Sequence, residues 1–490
     1  MMNEHGKSDN SIVPRKLPNE ADKAAEAMEE RGLAKGNLLG QNAHRTQSRA
    51  SVHSALERVR QAARGDRQQR LTALWHHVYA PEMLEHCYYS LRRTAAPGAD
   101  GKTWRQYGQD LAENLQDLSR RLKRGAFRAK PVKRLQIPKP DGRLRSIGIP
   151  ALEDKIVQRA VAEVLNSIYE QEFLGFSYGF RPGRNPHRAL DALYVAIRVK
   201  KVSWVLDADI REFFDTLSHE WLVKFIEHRI GDRRIIRMIQ KWLRAGVLEE
   251  GKRVVKEQGT VQGGSISPVL ANIYLHYVFD LWVHRWRGRH PRGEVYVVRF
   301  ADDIVMCFQY RRDAERLLQE LQQRFTKFGL QLHPDKTRLI EFGRFAAENR
   351  SRRGEGKPET FNFLGFTHIC GKTRSGRFTV LRKTMRKKLT TKLKEVRAEL
   401  KQRMHEPIPT QGAYLRSVVS GHTRYYGVPM NGPGIGVFHK EVCRIWSMVL
   451  RRRSHKHRIT WQRMRRLIAK WLPPARVCHP YPLHRFGVMT

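Results

Sequence analysis

The sequence predicts an α+β fold built around an antiparallel sheet. Between about residues 130 and 370, short runs rich in β-branched residues alternate with longer segments whose apolar residues recur at helical spacing. The chain has 490 residues, of which 40% are hydrophobic and 29% are charged, as is typical of a globular protein with two or more domains. These observations favour mixed helices and strands around sizeable cores.

The elements follow in order along the chain. Residues 1 to 70 are polar, and we expect an extension with some helix. Residues 71 to 93 have helical spacing and precede the turn residues of "TAAPGADGKTW". Strands are predicted at "VKRLQIP", "WVLDADI", "VYVVRFA" and "DIVMCF", and helices at "LEDKIVQRAVAEVLNSIYEQEF", "SHEWLVKFIEHRI" and "DAERLLQELQQRFTKFG". The stretch "FGRFAAENRSRRGEGKPETFNF" is predicted to be a solvated loop.

The charge predicts a polyanionic partner. Lys and Arg total 92 against 48 Asp and Glu, a net charge of +44, which most often indicates nucleic acid. Residues 371 to 490 hold 28 basic and 4 acidic side chains, so about a quarter of the chain carries more than half of the excess. Aromatic residues lie among these basic helices and suit stacking on RNA or single strands. They are Tyr425, Tyr426, Trp446, Trp461 and Trp471.

Other classes of protein are disfavoured. An anionic membrane surface is the rival partner, but no apolar run reaches the length needed to span a bilayer. The first thirty residues lack an apolar secretion core and are too acidic for a transit peptide, so we expect a cytoplasmic protein. The five cysteines are scattered without a C-x-x-C pair, which argues against a zinc site and a disulfide framework.

Acidic residues interrupt the most apolar part of the chain. In "VYVVRFADDIVMCF", Asp302 and Asp303 stand between two apolar runs, as at the tip of a β-hairpin. A turn aspartate beside a capping aspartate is the simpler interpretation, but a buried carboxylate is costly unless it is paired or binds a metal. Upstream, "WVLDADI" ends in acid, and strand alternation puts Asp207 and Asp209 on one face. Because adjacent strands lie about 5 Å apart, Asp209 and Asp302 are expected to meet.

Converging carboxylates favour one kind of chemistry. They form a hard-oxygen site for Mg²⁺. Two such ions roughly 4 Å apart can activate an attacking hydroxyl and stabilise a leaving oxygen in phosphoryl transfer. In so basic a chain, this combination predicts nucleotidyl transfer on nucleic acid.

The chain resembles the reverse transcriptase family. The resemblance rests on seven blocks in the family's order, and three segments of the basic tail match as well. Within the family, the chain is similar to the bacterial group II intron-encoded protein, a reverse transcriptase that is also a maturase, in its type without an endonuclease. The matching segments are "QIPKPDGRLRSIGIPALEDKIVQRAV", "YGFRPGRNPHRAL", "DADIREFFD", "QGTVQGGSISPVLANIYL", "VVRFADDIVM", "LQLHPDKTRLIEF" and "FNFLGFTH", then "GHTRYYGVPMN", "IWSMVLRRRSHKHRITWQRMRRLI" and "PPARVCHPYPLHRF".

The resemblance implies a right-hand polymerase architecture. Fingers and a palm with an antiparallel sheet would be followed by an α-helical thumb/maturase domain and a basic C-terminal segment. The implied divisions are 1–70 for the N-terminal extension, 71–200 for the fingers, 201–372 for the palm, 373–450 for the thumb and 451–490 for a DNA- or RNA-binding segment.

The resemblance also implies roles for individual residues. Asp209, Asp302 and Asp303 match the catalytic triad, and two Mg²⁺ ions would be held by these acids with the Ile210 carbonyl. The remaining matches are Lys139 and Arg145 on the triphosphate, Phe214 against the ribose 2′-hydroxyl, Gln262 beside the incoming base, Lys336 near the active site, and Arg181, Gly183, Gly263 and Gly264 along the template. Without the family, a core Phe, an exposed basic hairpin and simple tight turns would explain several of them. Phe300 departs from the more usual Tyr, and Val261 from Pro.

The implied function is an RNA-directed DNA polymerase that copies intron RNA into cDNA and assists splicing and mobility. Its partners would be group II intron RNA, a DNA target or primer and dNTPs, with no membrane. A non-catalytic RNA-binding splicing factor and a retron- or defence-type reverse transcriptase are the alternatives.

Overall fold

The computed structural model describes residues 38–138, 144–249, 252–254, 258–260, 263–453 and 459–485. Its helices are α1 (Leu38–Gly65), α2 (Trp75–Tyr79), α3 (Pro81–Ser90), α4 (Trp104–Tyr107), α5 (Leu111–Lys123), α6 (Leu152–Tyr169), α7 (Pro186–Val199), α8 (Phe213–Thr216), α9 (His219–Glu227), α10 (Arg233–Arg244), α11 (Ser267–Leu275), α12 (Leu281–Arg287), α13 (Arg311–Lys327), α14 (Ala346–Arg352), α15 (Arg386–Gln402), α16 (Ile408–Tyr426), α17 (Gly432–Arg451), α18 (Trp461–Trp471) and α19 (Pro482–Arg485), with a π-helical turn (His276–Asp280) between α11 and α12. Its strands are β1 (Val132–Pro138), β2 (Leu144–Ile149), β3 (Trp204–Asp209), β4 (Val247–Glu249), β5 (Lys252–Val254), β6 (Val295–Phe300), β7 (Asp303–Phe308), β8 (Arg338–Glu341), β9 (Phe361–Phe363), β10 (Phe366–Lys372) and β11 (Phe378–Thr384).

The described strands form three sheets. The central sheet has the order β6-β7-β3-β8 and is antiparallel throughout. The N-terminal sheet, β2-β1-β4-β5, contains one parallel pair, β1 with β4. The C-terminal sheet has the order β11-β10-β9. The predicted mixture of helices with antiparallel sheets is confirmed.

The central sheet lies between two hydrophobic cores, which explains its continuous apolar runs. Along β7, Ile304 and Met306 enter the core formed with the helices that precede and follow the sheet. The alternate residues Val305 and Cys307 enter a second core with α7 and the C-terminal sheet. A strand that is covered on both faces has no solvent side on which to place polar residues.

A helix near the N-terminus packs against the first hydrophobic core, which its polar composition did not predict. Val52, Leu56 and Val59 of α1 are buried in the same core as α3 and α6. The polar extension predicted for residues 1 to 70 is therefore, from Leu38 to Gly65, one packed helix. The predicted helix at 71–93 is two helices, because Pro81 suits the first turn of α3 but cannot continue α2.

Two expectations about the C-terminal half are corrected. The predicted loop at 342–363 contains α14 and β9, because Phe361 and Phe363 are buried in the second core. The division after residue 372 stays a prediction, and this residue ends β10, where Lys372 pairs with Phe378 of β11. Trp446, expected among the stacking aromatics, is fully buried and donates its indole N–H to Gln411 Oε1 at 3.0 Å.

None of the helices within the described ranges is both long and apolar enough to cross a membrane.

Candidate active site

The central sheet brings the predicted acids to one edge. Asp209 is the last residue of β3 and Asp303 the first of β7, and the two are register partners. Opposite residues of an antiparallel pair have Cα atoms about 4.5–5.5 Å apart. Asp302 stands in the two-residue turn between β6 and β7, since Phe300 pairs with Asp303 across the hairpin. The predicted hairpin with its acids at the tip is thus present.

A buried arginine lies beneath this turn. Arg299 of β6 is fully buried and donates to both carboxylate oxygens of Asp280, at 2.7 and 2.6 Å. Its guanidinium also donates to Asn272 Oδ1 at 3.1 Å and to the carbonyl of Ala301 at 3.0 Å. Ala301 has a φ of +57°, in the left-handed region that disfavours a residue with a Cβ. The Arg299 contact therefore holds the strained backbone directly before Asp302.

The same arginine connects the turn to the segment "YGFRPG". The backbone N–H of Tyr178 donates to Arg299 O at 2.8 Å, and Arg299 N–H donates to Phe176 O at 2.9 Å. Asn272 Nδ2 donates to Gly179 O at 2.7 Å. A side chain at Gly179 would overlap the backbone of Ala301, so glycine permits this close approach. Sequence reasoning missed Arg299, although a basic residue inside an apolar strand was a visible signal.

Lys336 contacts one of the acids directly. Its ammonium donates to Asp209 Oδ2 at 2.5 Å, from the loop after α13. The backbone N–H of His333 in the same loop donates to the Asp209 carbonyl at 2.8 Å. The loop is thereby attached to the end of β3, which places Lys336 beside Asp209, while its implied role at an active site stays a prediction.

The crowded carboxylates repel one another. The Asp303 side chain is open to solvent on one side, but the protein around it desolvates its carboxylate. This desolvation, followed by repulsion from Asp302, Asp209 and Asp207, raises the pKa of Asp303 to about 7. Lys336 opposes this shift. Burial raises the pKa of Asp207 to about 7 as well, with a further contribution from Asp209. A bound cation would relieve this repulsion.

These donors suit a hard divalent cation. Aspartate carboxylates are the oxygen ligands that Mg²⁺ prefers, and Asp209 and Asp303 face each other across two paired strands. Across the part of the chain that the structure describes, no three His, Cys, Asp or Glu side chains already surround a single point. In this structure the positive charge in contact with Asp209 is the ammonium of Lys336.

A cavity opens beside Asp303. Its volume is about 510 Å³, and its walls are Asp303, Asn362, Phe363, Leu364, Gly365, Met385, Lys388, Tyr425 and Tyr426. The Tyr425 hydroxyl donates to Leu364 O at 3.0 Å. Burial, followed by Tyr426 and Asp303, raises the pKa of Tyr425 to about 12. The cavity joins the central-sheet edge to the C-terminal helices, a proximity that sequence spacing does not reveal.

Two other predicted residues follow Asp209 closely along the chain. Ile210 follows Asp209, with its side chain buried and its backbone bridged to Leu332. Phe214 stands five residues after Asp209 and is half-buried. Its ring is edge-on to the ring of Phe213, with 5.5 Å between the two ring centres. The Phe214 carbonyl accepts from Thr260 N–H at 2.7 Å, which ties α8 to the chain before Gly263.

Arg181 has a structural role in place of the predicted template contact. Its side chain is 3% exposed and forms an ion pair with Glu170 at 2.9 Å. One guanidinium nitrogen donates to the carbonyls of Leu174 and Ser177, at 2.7 and 2.8 Å. A buried and satisfied guanidinium is not available to nucleic acid. Gly183 is an exposed turn glycine with a φ of +67°.

Gly263 is also explained by packing within the chain. Its φ is +112°, and a Cβ there would lie 2.6 Å from the carbonyl of Gly148 in β2. The close approach shown here is therefore to a strand of the protein, and the expected approach of nucleic acid at this residue stays a prediction. Gly264 is buried. Lys139, Gln262 and the side chain of Arg145 lie outside the described residues.

Arg299→Met should lower the free energy of unfolding by about 3–5 kcal/mol, because it leaves the Asp280 carboxylate buried and unpaired. Chemical denaturation measures the loss. The double variant Arg299→Met/Asp280→Leu should be less destabilised than the single one, since no unpaired charge remains. Arg312→Met, at an exposed position, is the control. Equal losses in the single and double variants would contradict the role of the ion pair.

Asp303→Asn should stabilise the metal-free protein, more at about pH 8 than at about pH 5. The fold raises the pKa of Asp303 from 3.8 to about 7 and so disfavours the charged carboxylate. Stability should fall as the pH rises from about 4 to about 7 and then level off, a penalty that Asn lacks. Thermal unfolding in EDTA measures the difference, with exposed Asp110→Asn as control. A gain that does not change with pH would refute the repulsion.

Comparison with known proteins identifies a family over the segment that contains these residues. A family model described as reverse transcriptase (RNA-dependent DNA polymerase) matches residues 137–368, which contain all three acids and Lys336. Protein YkfC of Escherichia coli (strain K12) is 32% identical over 328 residues, which cover 59% of this chain and 85% of that protein.

Two further relatives carry intron functions in their names. The group II intron-encoded protein LtrA of Lactococcus lactis subsp. cremoris is 33% identical over 222 residues, or 45% of this chain and 37% of LtrA. The mitochondrial nuclear intron maturase 1 of Arabidopsis thaliana is 26% identical over 114 residues, or 23% of this chain and 16% of that protein. The chain thus spans most of YkfC but little more than a third of LtrA. It belongs to the group II intron reverse transcriptase and maturase family.

Proposed function

We propose that the chain is an RNA-directed DNA polymerase that copies group II intron RNA into cDNA and binds that RNA to assist splicing and mobility. The observation that carries the proposal is the register pairing of Asp209 with Asp303, with Asp302 in the adjoining turn. This edge adjoins an open cavity lined by two tyrosines and Lys388, in a chain of net charge +44. The acids would hold cations where the basic surface cannot.

The residues divide the chemistry among them. Asp209 and Asp302 would hold two Mg²⁺ ions, with the Ile210 carbonyl and Asp303 adding oxygen donors. Bound Mg²⁺ supplies activation of a primer hydroxyl and charge stabilisation at the leaving oxygen. Lys336 orients the Asp209 carboxylate through its 2.5 Å contact. Arg299 fixes the turn from below and thereby sets the position of Asp302.

The right-hand architecture of this family supports a further assignment. The central sheet would be the palm, the N-terminal sheet with α1 to α7 the fingers, and α15 to α17 the thumb. Lys139 and Arg145, on the segments that lead into and along β2, would contact the dNTP triphosphate. The substrates would be dNTPs, a DNA primer or target, and intron RNA. Intron RNA is in keeping with the names of LtrA, an intron-encoded protein, and of the plant intron maturase.

A non-catalytic splicing factor is the second candidate, favoured by the basic C-terminal helices alone. Grouped acids with raised pKa values argue against it, because a protein that only binds RNA gains nothing from carboxylates that repel each other and the RNA.

Asp302→Ala should reduce cDNA synthesis on a primed RNA by on the order of 10³-fold or more, because charge stabilisation by the metal site is removed. RNA binding should be unchanged, since no basic residue is altered. Primer extension with Mg²⁺ and filter binding of the same RNA measure the two effects. Asp110→Ala removes the same charge from an exposed position and is the control. Primer extension that survives in Asp302→Ala would exclude the metal assignment.

Phe214→Ala should increase the use of rNTPs relative to dNTPs, on the order of 10- to 100-fold, the range that a pocket supplies for one added group. The half-buried ring, five residues after Asp209, would otherwise overlap the ribose 2′-hydroxyl. Single-nucleotide incorporation assays give the ratio. Phe345→Ala, where the ring is 52% exposed and outside the site, should leave it unchanged. An unaltered ratio in Phe214→Ala would assign this ring to packing alone.

A further inference from the structure

Helix α10 has one buried face and one basic face. Ile235, Ile239 and Trp242 are buried, and Trp242 donates its indole N–H to Asp154 Oδ1 of α6 at 2.9 Å. Arg237 and Lys241 are exposed on the opposite side, together with Arg244. Residues at these spacings form one row on a helix surface.

The row forms one wall of a cavity. The cavity has a volume of about 420 Å³ and is lined by Arg128, Ala129, Arg237, Gln240, Lys241, Arg244 and Ala245. Arg128 comes from the loop between α5 and β1, so the cations converge from two separate elements. Lys241 Nζ donates to the carbonyl of Phe127 at 3.1 Å, which holds this loop against α10. Four basic side chains and no carboxylate line the cavity.

This arrangement differs from the ordinary solvated surface of the protein. On α13, two exposed arginines pair with acids one turn away, Arg311 with Glu315 and Arg316 with Glu320. Within the described ranges, neither Arg128 nor Arg237 forms an ion pair. Like charges gathered in a concave site repel one another. A bound anion removes that cost.

The length of the row indicates a polyanion. From Arg237 to Arg244 the helix rises by roughly 10 Å, at about 1.5 Å per residue. A nucleic-acid strand presents a phosphate about every 3.4 Å along its axis, so about three phosphates would face the row. A single inorganic phosphate would engage only part of it.

We propose that this cavity, the α10 pocket, binds the phosphodiester backbone of RNA at a site separate from the polymerase centre. None of its lining residues belongs to the central sheet or to the cavity beside Asp303. The choice of RNA as the polyanion rests on the proposed function, whereas the anion chemistry rests on the pocket itself. RNA held here would anchor the template strand or the intron while the active-site edge stays open.

The test compares RNA binding by the full chain and by Arg237→Gln/Lys241→Gln. The probe is a blunt RNA hairpin without a primer terminus, titrated between about 50 and 200 mM salt. The variant should lower the slope of log K against log salt by about two and weaken binding roughly 10- to 30-fold near physiological salt. Arg128→Gln removes a cation from the opposing loop and should lower the slope by about one. Because Arg128 lies outside α10, a local disturbance of that helix would not explain its effect.

The control variant Arg312→Gln/Lys327→Gln removes two exposed cations from α13 and lies outside the pocket. It should weaken binding less than the pocket variant does. Equal losses in the two variants would overturn the proposal, because general charge would then explain the effect. The proposal would also be overturned if Arg237→Gln/Lys241→Gln lost the binding of inorganic tripolyphosphate but kept the binding of the RNA hairpin. Primer extension on a short primed template should be unchanged in the pocket variant, which separates this proposal from the proposed polymerase activity.

Discussion

The buried ion pair between Arg299 and Asp280 is the interaction on which the active-site edge depends. Both side chains are fully excluded from solvent, so each charge is stable only because the other is present. The guanidinium uses its remaining donors on Ser177, Asn272 and the carbonyl of Ala301. One residue therefore joins the β6–β7 turn, helix α11, the π-helical turn and the segment before α7. Its five donors in a rigid fork suit this role in a way that a lysine ammonium does not.

The chain separates its charges by function. Its surface and C-terminal helices are basic, which suits a phosphodiester partner but repels metal ions. The sheet edge gathers Asp207, Asp209, Asp302 and Asp303. Burial, followed by repulsion from neighbouring carboxylates, raises the pKa values of Asp207 and Asp303. Lys336 offsets part of this repulsion at Asp209. The apolar strands that carry Asp207, Asp209 and Asp303 are buried on both faces, so a rigid sheet fixes these acids and the short turn that holds Asp302.

The sequence was sufficient for the elements that carry the acids. The apolar runs around Asp209 and Asp302 predicted β3, β6 and β7, because strands covered on both faces have a strong and local signature. The burial of individual side chains was harder to predict from the sequence. Arg181 is buried because Glu170, directly after α6, and the carbonyls of a turn satisfy its guanidinium, and Trp446 is buried by packing between helices. Such burial depends on distant contacts, which neither spacing nor residue type encodes.

The central claim is that Asp209 and Asp302 hold the catalytic cations at the edge of the central sheet. Anomalous scattering from crystals grown with Mn²⁺, a primed RNA and a non-hydrolysable dNTP locates those cations directly. The account predicts peaks within coordination distance of both carboxylates, with Lys336 displaced from Asp209. Peaks bound elsewhere, with these two carboxylates left to Lys336 and solvent, would contradict it.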